Sequence, residues 1–157
     1  MKTKQIITFF TFGIILFGGL MCKNITAQDN YSEEQIRKVI KVFYTNYIEA
    51  NSELNPQKAD SIKNEYCTPN LINYINTQFE EGRLDYDPFL DSQMIDKTML
   101  ENFRVIKDSI NNKIYYFSYY RPYYKKFINI KLAICRKENF YKIDSIFIKF
   151  NHEMNPN

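Results

Sequence analysis

"KIYYFSYYRPYYKKFINIKLAICR" (Lys113–Arg136) decides the fold. In its second half Ile128, Ile130, Leu132 and Ile134 alternate with Asn129, Lys131 and Ala133. A period of two puts one apolar face on an extended strand. In its first half Tyr115, Phe117 and Tyr119 share one side, while Tyr116 and Tyr120 share the other. The polar link "RPYYKK" (121–126) is too short for a crossover, so the two strands form an antiparallel hairpin. "NFRVIKD" (102–108) precedes it and "NFYKIDSIFIKF" (139–150) follows, joined through "SINN" and "KEN". Both flanks are rich in β-branched and aromatic residues, which extends the hairpin to a four-stranded meander. Because the second strand carries rings on both faces, a strongly curved sheet wrapped around helices is expected.

Upstream the period changes to that of a helix. In "YSEEQIRKVIKVFYTNYIEAN" (31–51), Ile36, Val39, Ile40, Phe43, Tyr47 and Ile48 form one stripe, and Arg37, Lys38, Lys41 and Glu49 face away. Ser32 and Gln35 have the spacing of a capping box. A second short helix begins at Pro56 and carries Ala59, Ile62 and Tyr66 inward. A third has Thr68 as N-cap, Pro69 at the first helical position and Gly82 as stop, with Leu71, Ile72, Ile75 and Phe79 as its buried stripe.

Residues 1–27 differ in kind. "MKTK" is followed by an apolar run of 17 residues, "IITFFTFGIILFGGLMC", and then by "NITAQ". That run is short of the roughly 20 residues a spanning helix needs, and the order of charge, apolar core and small residues is that of a secretory signal. Cleavage after Ala27 is expected, giving an exported chain, periplasmic or secreted. The alternative is lipidation of Cys22, although Met21 before it is a poor match to lipoprotein processing. Three of the 21 Lys and Arg lie in this leader and none of the 18 acids does, so the mature chain carries 18 of each. No cationic surplus remains for phosphate backbones, which argues against nucleic acid as a partner.

Residues 28–157 are one domain by length. Of four glycines only Gly82 lies past the leader, so a glycine-rich phosphate cradle is excluded. His152, the only histidine, sits in the polar tail "NHEMNPN", which leaves no setting for a catalytic triad or a nitrogen-rich zinc site. No cofactor is called for. Cys67 and Cys135 form a candidate disulfide, since closing a loop of 68 residues would stabilise by roughly 4 kcal/mol. Strand parity argues the other way, because Cys135 lies opposite Ile134 and Cys67 belongs to the helical side.

Between helices and strands lies the chemically pointed run "GRLDYDPFLDSQMID" (82–96). Together with "YCTPNLINYI" (66–75) and the Tyr/Phe-rich C-terminal half, "LDYDPFLDSQMID" (84–96) resembles a bacterial exported family known as domain of unknown function 3828. The resemblance spans about Ser32 to Phe150, and "DYDPFLxxQ" (Asp85–Gln93) is its most specific piece. It implies an exported or lipid-anchored protein of the cone-shaped nuclear transport factor 2-like, cystatin-like fold, and no established reaction. The fold class read from the pattern is the same: α+β, with N-terminal helices packed on a strongly curved antiparallel sheet.

Three uses of the acidic run stay open. It can shape and close the domain, with Asp87 accepting a backbone N–H just after Pro88, Asp91 capping the next short helix, and Phe89, Leu90, Met94 and Met99 plugging the cone. It can offer Asp85, Asp87 and Asp91 to calcium, although the glycine and bidentate Glu of an EF-type loop are missing. Or Asp85 or Asp87 can act as a base beside a Tyr donor, with Arg121 or Lys131 holding an acidic ligand. A separate candidate is the hairpin tip, where Tyr119, Tyr120, Arg121, Tyr123 and Tyr124 are the residue types that carry interface energy. The candidate binding residues are therefore Asp85, Tyr86, Asp87, Asp91, Tyr119, Arg121, Tyr123 and Tyr124. The expected function is a non-enzymatic module that binds a small ligand or an envelope protein. An Asp/Tyr enzyme and an immunity- or inhibitor-type protein are the alternatives.

Overall fold

A computed structural model describes residues 33–148. The leader, Cys22, the capping box at Ser32 and His152 lie outside that range. Three helices come first: α1 (Glu33–Ser52), α2 (Pro56–Tyr66) and α3 (Pro69–Glu80). A short 3₁₀ turn at Lys97–Leu100 leads into four strands, β1 (Arg104–Lys107), β2 (Ile114–Arg121), β3 (Lys126–Lys137) and β4 (Phe140–Ile146). The strands pair antiparallel in the order β1-β2-β3-β4. The architecture is thus α+β, with an open four-stranded meander following the helices.

The β2–β3 register sets Phe117 opposite Ile130 and Tyr119 opposite Ile128. Tyr115, Phe117, Tyr119, Ile130, Leu132 and Ile134 are buried on the face that meets the helices. Tyr116 and Tyr120 on the other face are half-buried. They gain cover from neighbours on the same sheet: Tyr120 lies 5.3 Å from Phe127, the Arg104 guanidinium stands over Phe127, and the Tyr116 hydroxyl donates to Asp108 Oδ2 at 3.0 Å. A register shift between Ala133 and Ile134 marks a bulge against β4.

Helix α1 supplies the aromatic centre. Tyr44 stacks on Phe117 at 3.6 Å between centroids, and Phe43 sits 5.2 Å from Phe89 of the acidic loop. The expected α1 stripe is buried except for the half-buried Val39, and Tyr44 joins it as a fully enclosed residue. Asn55 caps α2 by accepting from the Lys58 N–H at 3.0 Å. Thr68 caps α3, and Gly82 ends it at φ +67°. There Arg83 N–H reaches Gln78 O and Gly82 N–H reaches Phe79 O, the paired bonds of a Schellman stop. The α3 stripe differs from expectation at its end: Gln78 is buried, Ile72 is half-buried and Phe79 is 45% exposed. The chain reverses at Gly82, so the last turn of α3 packs through Gln78, whose carbonyl also accepts from Leu84 N–H.

Cys67 N–H bonds back to Lys63 O, and Thr68 N–H bonds to Ile143 O, which joins the α2–α3 corner to β4. Cys135 pairs across to Lys142. Both cysteines are buried free thiols, the arrangement that strand parity favours over the candidate bridge. Their strand and corner positions keep the two side chains on different faces, as parity requires.

Candidate functional site

The acidic run folds back on itself. Asp87 N–H donates to Ser92 O at 3.0 Å and Ser92 N–H returns to Asp87 O at 3.3 Å, closing a tight loop. Asp91 stands inside it at φ +47°, a left-handed conformation that Asp and Asn tolerate better than most side chains. Asp91 is therefore a turn residue rather than a helix cap. The cap of the following 3₁₀ turn is Asp96, whose Oδ1 accepts from Thr98 N–H at 2.8 Å. Phe89, Leu90 and Met99 are buried as expected, whereas Met94 is 77% exposed and plugs nothing.

Three contacts pin this loop to the body of the domain, and a fourth closes it on itself. Asp87 Oδ1 accepts from Phe89 N–H at 2.8 Å, and its Oδ2 accepts from the Tyr47 hydroxyl at 2.7 Å. The Tyr119 hydroxyl donates to Leu90 O, and Arg121 donates to Ser92 Oγ. Burial raises the Asp87 carboxyl above its ordinary value, outweighing the Tyr47 and Phe89 donors that favour the charged form. Burial, with the Asp87 charge behind it, also drives the Tyr47 hydroxyl far above the ordinary tyrosine value, so Tyr47 stays a neutral donor.

The eight candidate residues thus fall into separate groups. Asp87, Tyr119 and Arg121 converge on the loop, with Asp91 in its turn. Asp85 is exposed and accepts weakly from Gln93 Nε2 at 3.4 Å. Tyr86 lies between two clefts. One, of about 390 Å³, is lined by Tyr47, Lys63, Phe79, Asp85, Asp87 and Gln93 among others. The other, of about 170 Å³, sets Pro88 and Asp91 against Lys126–Ile130 of β3. Among the described residues no three His, Cys, Asp or Glu side chains gather around a common metal position, so Asp85, Asp87 and Asp91 do not form the three-carboxylate cage that calcium would use.

Tyr123 and Tyr124 belong to the hairpin, and Arg121 connects the Tyr124 ring to Ser92 of the loop. The two tyrosines stand at the β2–β3 turn, 88% and 53% exposed, with rings edge-on at 5.0 Å. Arg121 and Lys126, the pair that closes the hairpin, flank the Tyr124 ring at 5.3 and 5.5 Å from its centroid. Two contributors escaped the sequence reading. Tyr47 sat within an apolar stripe, where nothing distinguishes a tyrosine that needs a partner from a phenylalanine that does not. Ser92 had no signal beyond being small and polar.

The fold is that of an α+β protein with a helical layer before an open meander. A solved structure of a protein of unknown function from Bacteroides thetaiotaomicron VPI-5482 is similar, with a TM-score of 0.65 and 22% identity over 74% of this chain and 91% of that one. No family model and no curated protein matches the chain. Within the described residues no helix is long and apolar enough to cross a membrane.

Proposed function

We propose that the chain is an exported binding module of nuclear transport factor 2-like type, akin to domain of unknown function 3828, that grips a protein partner in the cell envelope with its β2–β3 hairpin. The observation that carries this reading is the contrast between the two candidate sites. The acidic loop spends its side chains on itself: both Asp87 oxygens, the Tyr119 hydroxyl and Arg121 are committed to holding it down. The hairpin tip instead presents two tyrosines outward, with Lys126 beside the Tyr124 ring and Arg121 reaching from that ring to the loop. Tyrosine and arginine offer large, stiff contact areas at low entropic cost, and they dominate interface energies.

The test is capture from envelope extract by wild type and by the Tyr123→Ala/Tyr124→Ala variant. A protein retained by wild type and lost by the variant, at unchanged circular dichroism, is the expected outcome. Identical capture by both would remove the hairpin from the account.

A small-ligand or enzymatic reading is favoured by one observation, the cleft of about 390 Å³ that Tyr47, Asp87 and Lys63 share. A base there needs a carboxylate oxygen turned to the ligand. Both Asp87 oxygens already accept a hydrogen bond that favours the charged form and blunts it as a base, which makes this the second reading.

A further inference from the structure

We infer that the partner of the hairpin is an acidic protein surface, whose carboxylates seat against the cations around Tyr124. This rests on the binding reading above and names the chemistry of what is bound.

Charge is segregated along the chain. From residue 28 to 108 acids outnumber bases 15 to 9, and from residue 109 to 157 bases outnumber acids 9 to 3. No Asp or Glu occurs between Ser109 and Lys137, the span that holds all of β2 and β3. The ion pairs follow the same division. Among the described residues Arg37, Lys58, Lys63, Arg83, Lys97 and Lys107 each meet a carboxylate. At the hairpin Arg121 and Lys126 flank the Tyr124 ring instead, and Arg121 also donates to the uncharged Ser92 hydroxyl. A ring face orients a cation and attracts it through its quadrupole, but it leaves the full positive charge uncompensated. Arg121 and Lys126 are thus held in place and, among the described residues, enter no ion pair, a surface complementary to carboxylates.

The same segregation selects the kind of anion. A long polyanion, such as a nucleic acid or an acidic lipid surface, would extend past the hairpin and meet the acidic helical half. A compact acidic patch on a protein meets the hairpin alone. The exposed Tyr123 and Tyr124 supply the apolar contact that such a patch leaves around its charges.

The experiment measures binding of a fluorescent Glu-rich dodecapeptide containing two leucines to the full protein, with an isosteric Gln-rich peptide as control. We expect saturable binding of the Glu peptide only, weakened at least tenfold between about 50 and about 500 mM salt as screening sets in. Lys126→Glu should weaken it at least tenfold with circular dichroism unchanged, while Lys126→Arg should retain it. Equal binding of both peptides, or binding unaffected by the charge reversal, would overturn the inference. So would tighter binding of single-stranded DNA or anionic vesicles, or self-association that the charge reversal removes, since the occupant would then be another polyanion or a second copy. The two proposals fail separately. Capture lost in Tyr123→Ala/Tyr124→Ala but untouched by Lys126→Glu keeps the hairpin and discards the acidic partner; capture untouched by either discards both.

Discussion

Asp87 shows how surroundings fix the role of one carboxylate. Its place after Tyr86 and before Pro88 made the cap on Phe89 legible in the sequence, because an Asx turn involves only near neighbours. Its second partner, Tyr47, lies 40 residues away and could be found only in three dimensions. Tyr47→Phe should therefore destabilise the protein by about 1–3 kcal/mol in urea unfolding, because it removes a hydrogen bond to a charged, buried group. The pH dependence follows from the direction of the shift. Burial lifts the folded carboxyl above its ordinary 3.8, so the folded chain holds a proton that the unfolded chain releases. The stability contributed by this group is full below 3.8 and is lost as pH rises through the raised value. The cost of Asp87→Asn should accordingly shrink as pH rises from below that point towards neutrality. A cost that grows instead would mean that the donors from Tyr47 and Phe89 outweigh burial.

At the scale of elements, periodicity told most of the story. The strands and their order were legible because a two-residue period and short turns admit only a meander. The helix caps at Thr68 and Pro69 and the stop at Gly82 were legible because each is a local backbone requirement. Gly82→Ala meets no neighbour but forces a Cβ into the left-handed region, so it should cost about 1–2 kcal/mol in thermal or denaturant unfolding. Packing at the edges of elements was not legible. Phe79 lies on the expected stripe but lines the open cleft beside Asp87, and Gln78 is buried instead. Asp91 and Asp96 both precede plausible caps, and the choice between them was made by the Asp87–Ser92 bridge, which draws Asp91 into a turn.

At the scale of the whole molecule, the helical layer and the open sheet hold together without a covalent staple. Burial pushes the Cys67 thiol up to about 12, so it is un-ionised at neutral pH and should resist thiol reagents until the protein unfolds. The melting temperature should be the same with and without reductant; a drop on reduction would show that Cys67 and Cys135 are bonded after all. Function was less legible than fold. The eye is drawn to the acidic loop, because Asp, Tyr and Pro in close order resemble a site, yet Asp87 and Ser92 are engaged by Tyr47 and Arg121, tertiary contacts no linear pattern reveals. The hairpin tip was legible because a turn flanked by paired strands must be exposed. The most direct check of the central claim is in-cell photo-cross-linking in the producing organism, with benzoylphenylalanine replacing Tyr123 or, on the opposite side of the sequence pattern, the 43% exposed Tyr74 of α3. The account predicts a discrete protein adduct from position 123 and none from position 74. Adducts from position 74 alone, or from neither, would contradict it.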